Sequence, residues 1–403
     1  MASKIATPTP LIDSIDQLKQ QINHTDIIFP DDLTNAIDFL KQYDGVKATF
    51  DSYRKEIERL LQWSFLISKK SILTLKREDI EIYIQFCMNP PKSWIGLKRV
   101  ARFIEKNGLR VPNKSWRPFV ATISKSDHKK GESPDKNNYE LSQKAIREIF
   151  TVLSSFYNYL LLSEKISINP ISLIKQKNKY IQKRQQASTV MRLSQTQWEM
   201  CVKIVKAMAE NDKSYERTLF IISALYLLYL RISELTKTDR WIPHMNHFYQ
   251  DGENCWWFKT VGKGNKMREI AVSDTMLEAL ERYRKSMNLS PLPALNDKTP
   301  LIFKEKGSGA IESTRQIRRL VQLCFDKTIE KFREENLQNE ADSLESATVH
   351  WLRHTGISED INENNRPIAH VRDDAGHGTS ATTDRYNNIT RADRYRSAKD
   401  KKL

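Results

Sequence analysis

His350-Trp351-Leu352-Arg353-His354-Thr355, then Gly376-His377-Gly378, then Thr382-Thr383-Asp384-Arg385-Tyr386 stand together within the last 54 residues of the chain. His350 and Arg353 lie three residues apart, so on a helix they share one face. His377 adds a third imidazole, and Tyr386 follows it by nine residues. Arginine donates two parallel, charge-assisted hydrogen bonds that match phosphate oxygens. A tyrosine beside such cations can attack the phosphorus through its phenolic oxygen. The grouping therefore points to a site that grips a phosphodiester and cleaves it with tyrosine as nucleophile.

Two upstream pieces extend the pattern. Arg231-Ile232-Ser233-Glu234-Leu235 follows the long apolar run Leu219 to Leu230, which is too short to span a bilayer and predicts a buried core helix. Val261-Gly262-Lys263-Gly264-Asn265-Lys266 reads as a tight hairpin turn between two strand-like segments, Cys255 to Phe258 and Arg268 to Val272. Alone, Arg231 with Glu234 would be an ordinary surface ion pair, and Gly-Lys-Gly simply a turn.

In this order and spacing the five pieces resemble the tyrosine recombinases of the phage-integrase family. The resemblance is specific from about residue 225 to 389, diffuse over 43–180, and absent before residue 42. It implies a mainly α fold with a small antiparallel β-sheet or hairpin in the C-terminal domain: a helical core-binding domain followed by a catalytic domain. Arg231, Lys263, His350, Arg353, His377 and Tyr386 match the family's six active-site positions, and Glu234 the acidic residue that supports the first arginine. The resemblance implies that Arg231, Arg353 and His377 hold the phosphate, that His350 assists proton transfer, and that Lys263 protonates the leaving 5′ oxygen. Lys266 is the rival for that last role. Tyr386 would form a covalent 3′-phosphotyrosine, which conserves the bond energy so that strands reseal without ATP. Asp-Arg-Tyr occurs again at Tyr395, in a basic tail poor in apolar residues, and Tyr386 is favoured. No metal, nucleotide or other cofactor is implied. Double-stranded DNA is the implied partner, bound by a homotetramer on two sites, with accessory DNA-bending or directionality proteins as further candidates.

Composition agrees with such a partner. The formal net charge is +15 and the pI about 9.4, which favours a polyanion. Residues 1–10 lack the apolar stretch of a signal peptide, and no membrane role is expected. Four dispersed cysteines without a CxxC pair suit a reducing cytoplasm rather than a zinc site.

Along the chain, residues 1–42 read as an N-terminal segment or arm and 43–180 as a helical DNA-binding domain. Residues 181–190 read as an exposed linker, 191–386 as the catalytic domain and 387–403 as a basic tail. Ala145 to Leu162 shows the clearest 3.6-residue apolar stripe. Tyr53 to Ile67 and Arg77 to Cys87 suggest a preceding helix pair. Between Lys98 and Arg184 there are 19 Lys/Arg against 7 Asp/Glu, making this stretch the candidate DNA-binding surface. A merely solvated face is the competing reading there. Helices return at Thr275 to Lys285 and Ser313 to Phe332, and the acidic run Glu330 to Glu345 reads as a surface loop or helix extension.

Three departures from the family pattern stand out. Leu228-Tyr229-Leu230 replaces the usual glycine before the first arginine, the acidic run Glu330 to Glu345 intervenes between boxes, and Val371-Arg372-Asp373-Asp374-Ala375 replaces an apolar helix end. Other readings use the same residues. His350, His354 and His377 could ligate a metal, although Trp351 stands where a HExxH site has its base. A catalytically silent DNA-binding regulator would keep the fold without the chemistry. A type IB topoisomerase would share the mechanism.

Overall fold

The computed structural model describes residues 5–16, 28–124, 127–128, 131–175, 180–181, 191–238, 241–262, 264–305, 308–386 and 399. The chain forms two units, Met1–Gln186 and Ala187–Leu403. The expected linker lies outside the described residues apart from Ile181, and so does the tail beyond Tyr386 apart from Lys399. The fold is mainly helical with small sheets.

The first unit is built on α1 (Pro30–Lys41), α2 (Lys47–Trp63), α3 (Arg77–Met88) and α4 (Gln143–Leu162). Helix α4 starts where the Ser142 hydroxyl accepts the Ala145 N–H at 3.2 Å, satisfying a donor that the helix leaves unpaired. Its stripe of Ile146, Ile149, Phe150, Leu153, Phe156, Tyr157 and Leu160 is buried against Phe39, Leu60 and Trp63 of the same core. Ile12 and the α1 residues Leu33, Ala36, Phe39 and Leu40 belong to that core too.

A mostly helical pattern is expected from Val46 to about Lys175, but the stretch between α3 and α4 contains short strands. It forms the parallel pair β1 (Ile95–Gly96) with β4 (Phe119–Val120) and the antiparallel ribbon β2 (Phe103–Lys106) with β3 (Leu109–Pro112). Asn107 (φ 52°) and Gly108 (φ 72°) take left-handed backbone angles in the connection, which a helix excludes and a primed hairpin turn requires.

The second unit begins with α5 (Gln195–Asn211), opened by a reciprocal cap between Ser194 and Gln197. Helix α6 (Glu216–Leu227) follows, then the antiparallel sheet β5 (Phe248–Gln250), β6 (Trp256–Val261) and β7 (Met267–Ala271), in the order β5-β6-β7. Next come α7 (Asp274–Ser286), α8 (Thr314–Glu334), α9 (Gln338–Glu345), α10 (Val349–Asn362) and α11 (Ile368–Ala375). The acidic run is thus the end of α8 and a separate helix α9, broken at Asn336 (φ 59°). Helices α5, α6, α8 and α10 contribute to one apolar core that includes Phe220, Leu225, Phe325 and Leu352.

The expected helix Leu219 to Leu230 stops early, at Leu227. Tyr229 adopts φ 48°, and Arg231 lies in extended backbone (φ −76°, ψ 145°) rather than on the helix. Tyrosine in the left-handed region is strained, and surrounding contacts must hold it there. Its hydroxyl donates to Asp360 and accepts from Arg366 at 2.9 Å, and its ring is buried. The missing glycine is therefore replaced by a clamped tyrosine. Among the described residues no helix is long and apolar enough to cross a membrane, and Cys87, Cys201, Cys255 and Cys324 are free.

Candidate active site

Helix α10 is buried on most of its surface, including Trp351, Leu352, Arg353, Thr355, Ile357 and Ser358. It crosses α6 so closely that a Cβ on Gly356 would lie 2.2 Å from the Tyr226 carbonyl oxygen. That approach seats Arg353, only 4% exposed, beneath the Tyr229 segment. Its guanidinium donates to the carbonyl oxygens of Tyr229 and, at 2.6 Å, of Ala375. Burial, reinforced by the positive charge of Arg231, pulls its pKa down to about 9, so it remains a cation at neutral pH.

Arg231 is brought to the same place by a different route. Its Nη1 donates to Glu234 Oε1 at 3.1 Å and its Nη2 to the Gly376 carbonyl at 3.4 Å. Both arginines therefore rest on carbonyls at the C-terminal end of α11, where unpaired carbonyls favour cations. Helix α11 stops there because Gly376 takes φ 63°. A Cβ at that glycine would lie 2.8 Å from Arg268 Cδ.

Glu234 is nearly fully buried and lies between two guanidiniums. Arg268 on β7 binds it in a two-pronged contact, Nη1 to Oε1 at 2.9 Å and Nη2 to Oε2 at 2.8 Å. Burial alone would raise the Glu234 pKa, but hydrogen bonding and charge from Arg268, joined by Arg231, hold it below the usual carboxylate value. Glu234 stays ionised and offsets the two cations beside it. Asp374 ties down the other side, accepting from Arg366 Nη2 at 2.7 Å and from the Ala271 N–H at 3.4 Å. The polar end of α11 is thereby accounted for: Asp374 is a buried partner, not an exposed substitute for an apolar residue.

Tyr386 packs with Tyr229, Ile357, Ile361, Val371 and Ala375 and is 5% exposed. Asn362 Nδ2 donates to its carbonyl at 2.8 Å. Its phenolic oxygen lies 2.5 Å from Nδ1 of His354. His377 stacks on the phenol ring, with centroids 5.9 Å apart and planes at 16°, and its Nδ1 is 2.9 Å from the Thr383 hydroxyl. Burial, then Arg353, lowers the pKa of His354 to about 4. Burial, with Arg353 and Arg231, does the same to His377. Both imidazoles are neutral at pH 7. His350 stands at the surface one turn before Arg353, its ring 6.4 Å from that of His354, and partial desolvation of the ring, then the charge of Arg353, lowers its pKa.

Arg231, Glu234, Arg353, His377 and Tyr386 thus converge around the end of α11, with His350 at the edge. Lys263 lies outside the described residues. A cavity of about 360 Å³ opens beside Arg231, lined by Ser233, Thr238, Trp241, Gly262 and Asn265 among others. Among the described residues no three His, Cys, Asp or Glu side chains group as a metal site would need.

Two contributors escape a reading of the sequence. His354 invites attention there only as a metal ligand, although it directly follows Arg353. Arg268 carries no signal, because its partner Glu234 is 34 residues away.

Residues 191–392 match the model of the phage integrase family. The chain is 29% identical over 183 residues to tyrosine recombinase XerD of Oceanobacillus iheyensis, covering 45% of this chain and 53% of that protein. It is 25% identical over 256 residues to tyrosine recombinase XerC of Actinobacillus pleuropneumoniae serotype 7, covering 63% and 70%. The chain thus spans about half the length of the XerD relative. Among solved structures, XerH recombinase bound to difH substrate superposes with TM-score 0.53 at 12% identity, covering 95% of this chain and 92% of that one. The Tn1549 transposon integrase in complex with circular intermediate DNA superposes with TM-score 0.54 at 15% identity, covering 91% and 98%. These likenesses extend the shared fold over both units. With the family model matching residues 191–392, half of the chain and nearly all of the second unit including Tyr386, the chain belongs to the phage integrase family.

Proposed function

We propose that the protein is a site-specific DNA recombinase that cleaves and rejoins strands through a covalent 3′-phosphotyrosine. The convergence of Arg231, Arg353, His377 and Tyr386 on the end of α11 carries this reading. Tyr386 Oη attacks the phosphorus, the Oη–P bond forms and the P–O5′ bond breaks. Two arginines and His377 stabilise the negative charge that gathers on the non-bridging oxygens. The phenol proton passes to neutral His354, with His350 assisting proton transfer at the exposed rim. Lys263 returns a proton to the departing 5′ oxygen. Attack by a second strand's 5′ hydroxyl reverses these steps and reseals the DNA, without metal, nucleotide or other cofactor.

Residues 43–180 serve as the helical DNA-binding domain, with the basic stretch Lys98 to Arg184 as its contact surface. Residues 191–386 are the catalytic domain, and 181–190 join the two. Residues 1–42, expected as an arm, extend that domain instead, since Ile12 and the α1 side chains are part of its core, and the tail 387–403 docks on a neighbouring subunit. The working assembly is a homotetramer on two duplex sites in the cytoplasm, serving a mobile element, with accessory DNA-bending or directionality proteins. The similarity to a transposon integrase supports the mobile-element context.

Covalent trapping tests the proposal. Nicked duplexes cut from the ends of the element carrying the gene are incubated with wild type, Tyr386→Phe and Tyr395→Phe, then run on a denaturing gel. A protein–DNA adduct lost only in Tyr386→Phe is the expected result. Loss only in Tyr395→Phe moves the nucleophile. Tight binding with no adduct from any form favours a silent regulator.

A further inference from the structure

The ribbon β2–β3 has no counterpart in the expected helical pattern, and its two faces differ. The register pairs Phe103 with Pro112, Ile104 with Val111, Glu105 with Arg110 and Lys106 with Leu109. Side chains alternate across a strand, so Phe103, Glu105, Arg110 and Pro112 share one face. That face is fastened to the unit. Phe103 is buried, and Arg110 pairs with Asp13 while lying 5.9 Å from the Phe103 ring centre. Just before β2, Arg102 pairs with Glu58 and lies 4.7 Å from the Trp116 ring centre.

The opposite face carries Ile104, Lys106, Leu109 and Val111. Ile104 is 41% exposed and Leu109 69%. A bare apolar edge invites aggregation, and a two-stranded ribbon is marginally stable unaided. Here the pinned face holds it in place while the other stays uncovered. From Lys98 to Arg117 there are seven Lys/Arg and one acidic residue. Lys98, Arg99, Lys106 and Lys114 are exposed, and none has an ion pair among the described residues.

We propose that this ribbon enters the major groove of duplex DNA, with Ile104, Lys106 and Leu109 against the base edges and Lys98, Arg99 and Lys114 on the flanking phosphates. The major groove, about 12 Å wide, admits a two-stranded ribbon, whereas the minor groove at about 6 Å does not. Apolar side chains recognise thymine methyl groups there, and lysine recognises the O6 and N7 acceptors of guanine. The tight Asn107-Gly108 turn leaves a narrow tip that can reach the groove floor. The charge complementarity singles out DNA over a second copy of this chain, which is just as basic. The inference rests on the recombinase reading and adds a specificity element to it.

The test needs no known recombination site. Binding to a random-sequence 30-base-pair duplex is measured by fluorescence anisotropy over a range of salt. The variant Lys98→Gln/Arg99→Gln/Lys106→Gln/Lys114→Gln should lower the slope of log K against log salt by roughly one for each phosphate it no longer neutralises. The control Lys41→Gln/Lys47→Gln, at exposed positions outside the basic stretch Lys98 to Arg184, should leave it unchanged, and thermal melts check that all forms fold. In selection from a random duplex pool, Ile104→Ser/Leu109→Ser should lose part of the enriched motif while keeping the wild-type salt slope. An unchanged slope in the quadruple variant overturns the proposal. So does a lowered slope with an intact motif in Ile104→Ser/Leu109→Ser, which would leave phosphate binding without groove entry. An unchanged slope with a loss of self-association would assign the ribbon to an interface between copies. Failure of wild type to bind any duplex would instead sink the recombinase reading itself.

Discussion

The phenolic oxygen of Tyr386 and Nδ1 of His354 stand 2.5 Å apart, so nucleophile and imidazole form one hydrogen-bonded pair. His354 is neutral at pH 7, and in the tautomer protonated on Nε2 its Nδ1 accepts the phenol hydrogen. Tyrosine, with an ordinary pKa near ~10, needs such a partner to attack at neutral pH. His354 is placed to accept the proton, whereas His350 sits at the solvent-facing end of the same helix face.

Replacing His354 therefore slows covalent attachment without preventing DNA binding. General-base contributions are typically about 10²- to 10⁴-fold, so His354→Gln should reduce single-turnover adduct formation by roughly 10²-fold or more. The measurement is adduct yield against time on nicked duplex, with anisotropy reporting binding to the same DNA. A variant at wild-type rate would remove His354 from the proton path. His350→Gln, tested alongside, should have the smaller effect on attachment.

Acid should destabilise the second unit through its histidines. His247, His354 and His377 have folded-state pKa values lowered to about 4, chiefly by burial. In the unfolded chain they titrate near ~6.5. Between those values the unfolded state binds more protons, so stability falls as pH drops from about 6.5 toward 4. The thermal midpoint should decline across that window, and His247→Asn should flatten the decline. A midpoint independent of pH from 7 to 4.5 would contradict the burial of these imidazoles.

Gly356 is required by proximity rather than by backbone conformation. A methyl group there would meet the Tyr226 carbonyl at 2.2 Å, forcing α6 and α10 apart. Overpacking a tight interface typically costs about 1–3 kcal/mol, and here the obstacle is backbone, which yields less readily than a side chain. Gly356→Ala should shift the urea midpoint by at least the upper part of that range. Arg353 and His354 lie on the displaced helix, so adduct formation should fall as well. Gly378→Ala, where nothing lies within 4 Å, is the control and should leave stability nearly unchanged.

How far the sequence disclosed this arrangement depends on the kind of interaction. His350, Arg353, His377 and Tyr386 were legible because one continuous segment carries them at fixed spacing, and helix α4 follows local periodicity. Arg268 was not, because it acts through a buried carboxylate supplied from a distant segment, and nothing local to β7 signals that. The conformation of Tyr229 was equally hidden. A tyrosine at φ 48° is intelligible only once Asp360 and Arg366 are seen to hold its hydroxyl. The ribbon β2–β3 was hidden because charge dominates its composition and masks the two-residue alternation. Its Asn107-Gly108 pair was the one available turn signal.

The bridge from Arg268 through Glu234 to Arg231 yields the remaining prediction. Glu234 is buried between two cations, so removing its charge leaves both without compensation. Breaking a buried ion pair by deleting one partner typically costs about 3–5 kcal/mol. Glu234→Gln keeps the shape and some hydrogen bonds, and should fall at or below the lower end of that range. Its folded-state pKa is lowered, so the stabilisation it contributes is present above about pH 4.5 and lost as pH falls through the folded value. Denaturant unfolding at pH 7 should therefore separate wild type from Glu234→Gln, and the gap should narrow toward pH 3.5. Arg268→Met should also reduce adduct formation, because Arg231 would then share Glu234 with no second cation and be drawn closer to it. An Arg268→Met protein with wild-type stability and wild-type attachment would show that the bridge does not position Arg231.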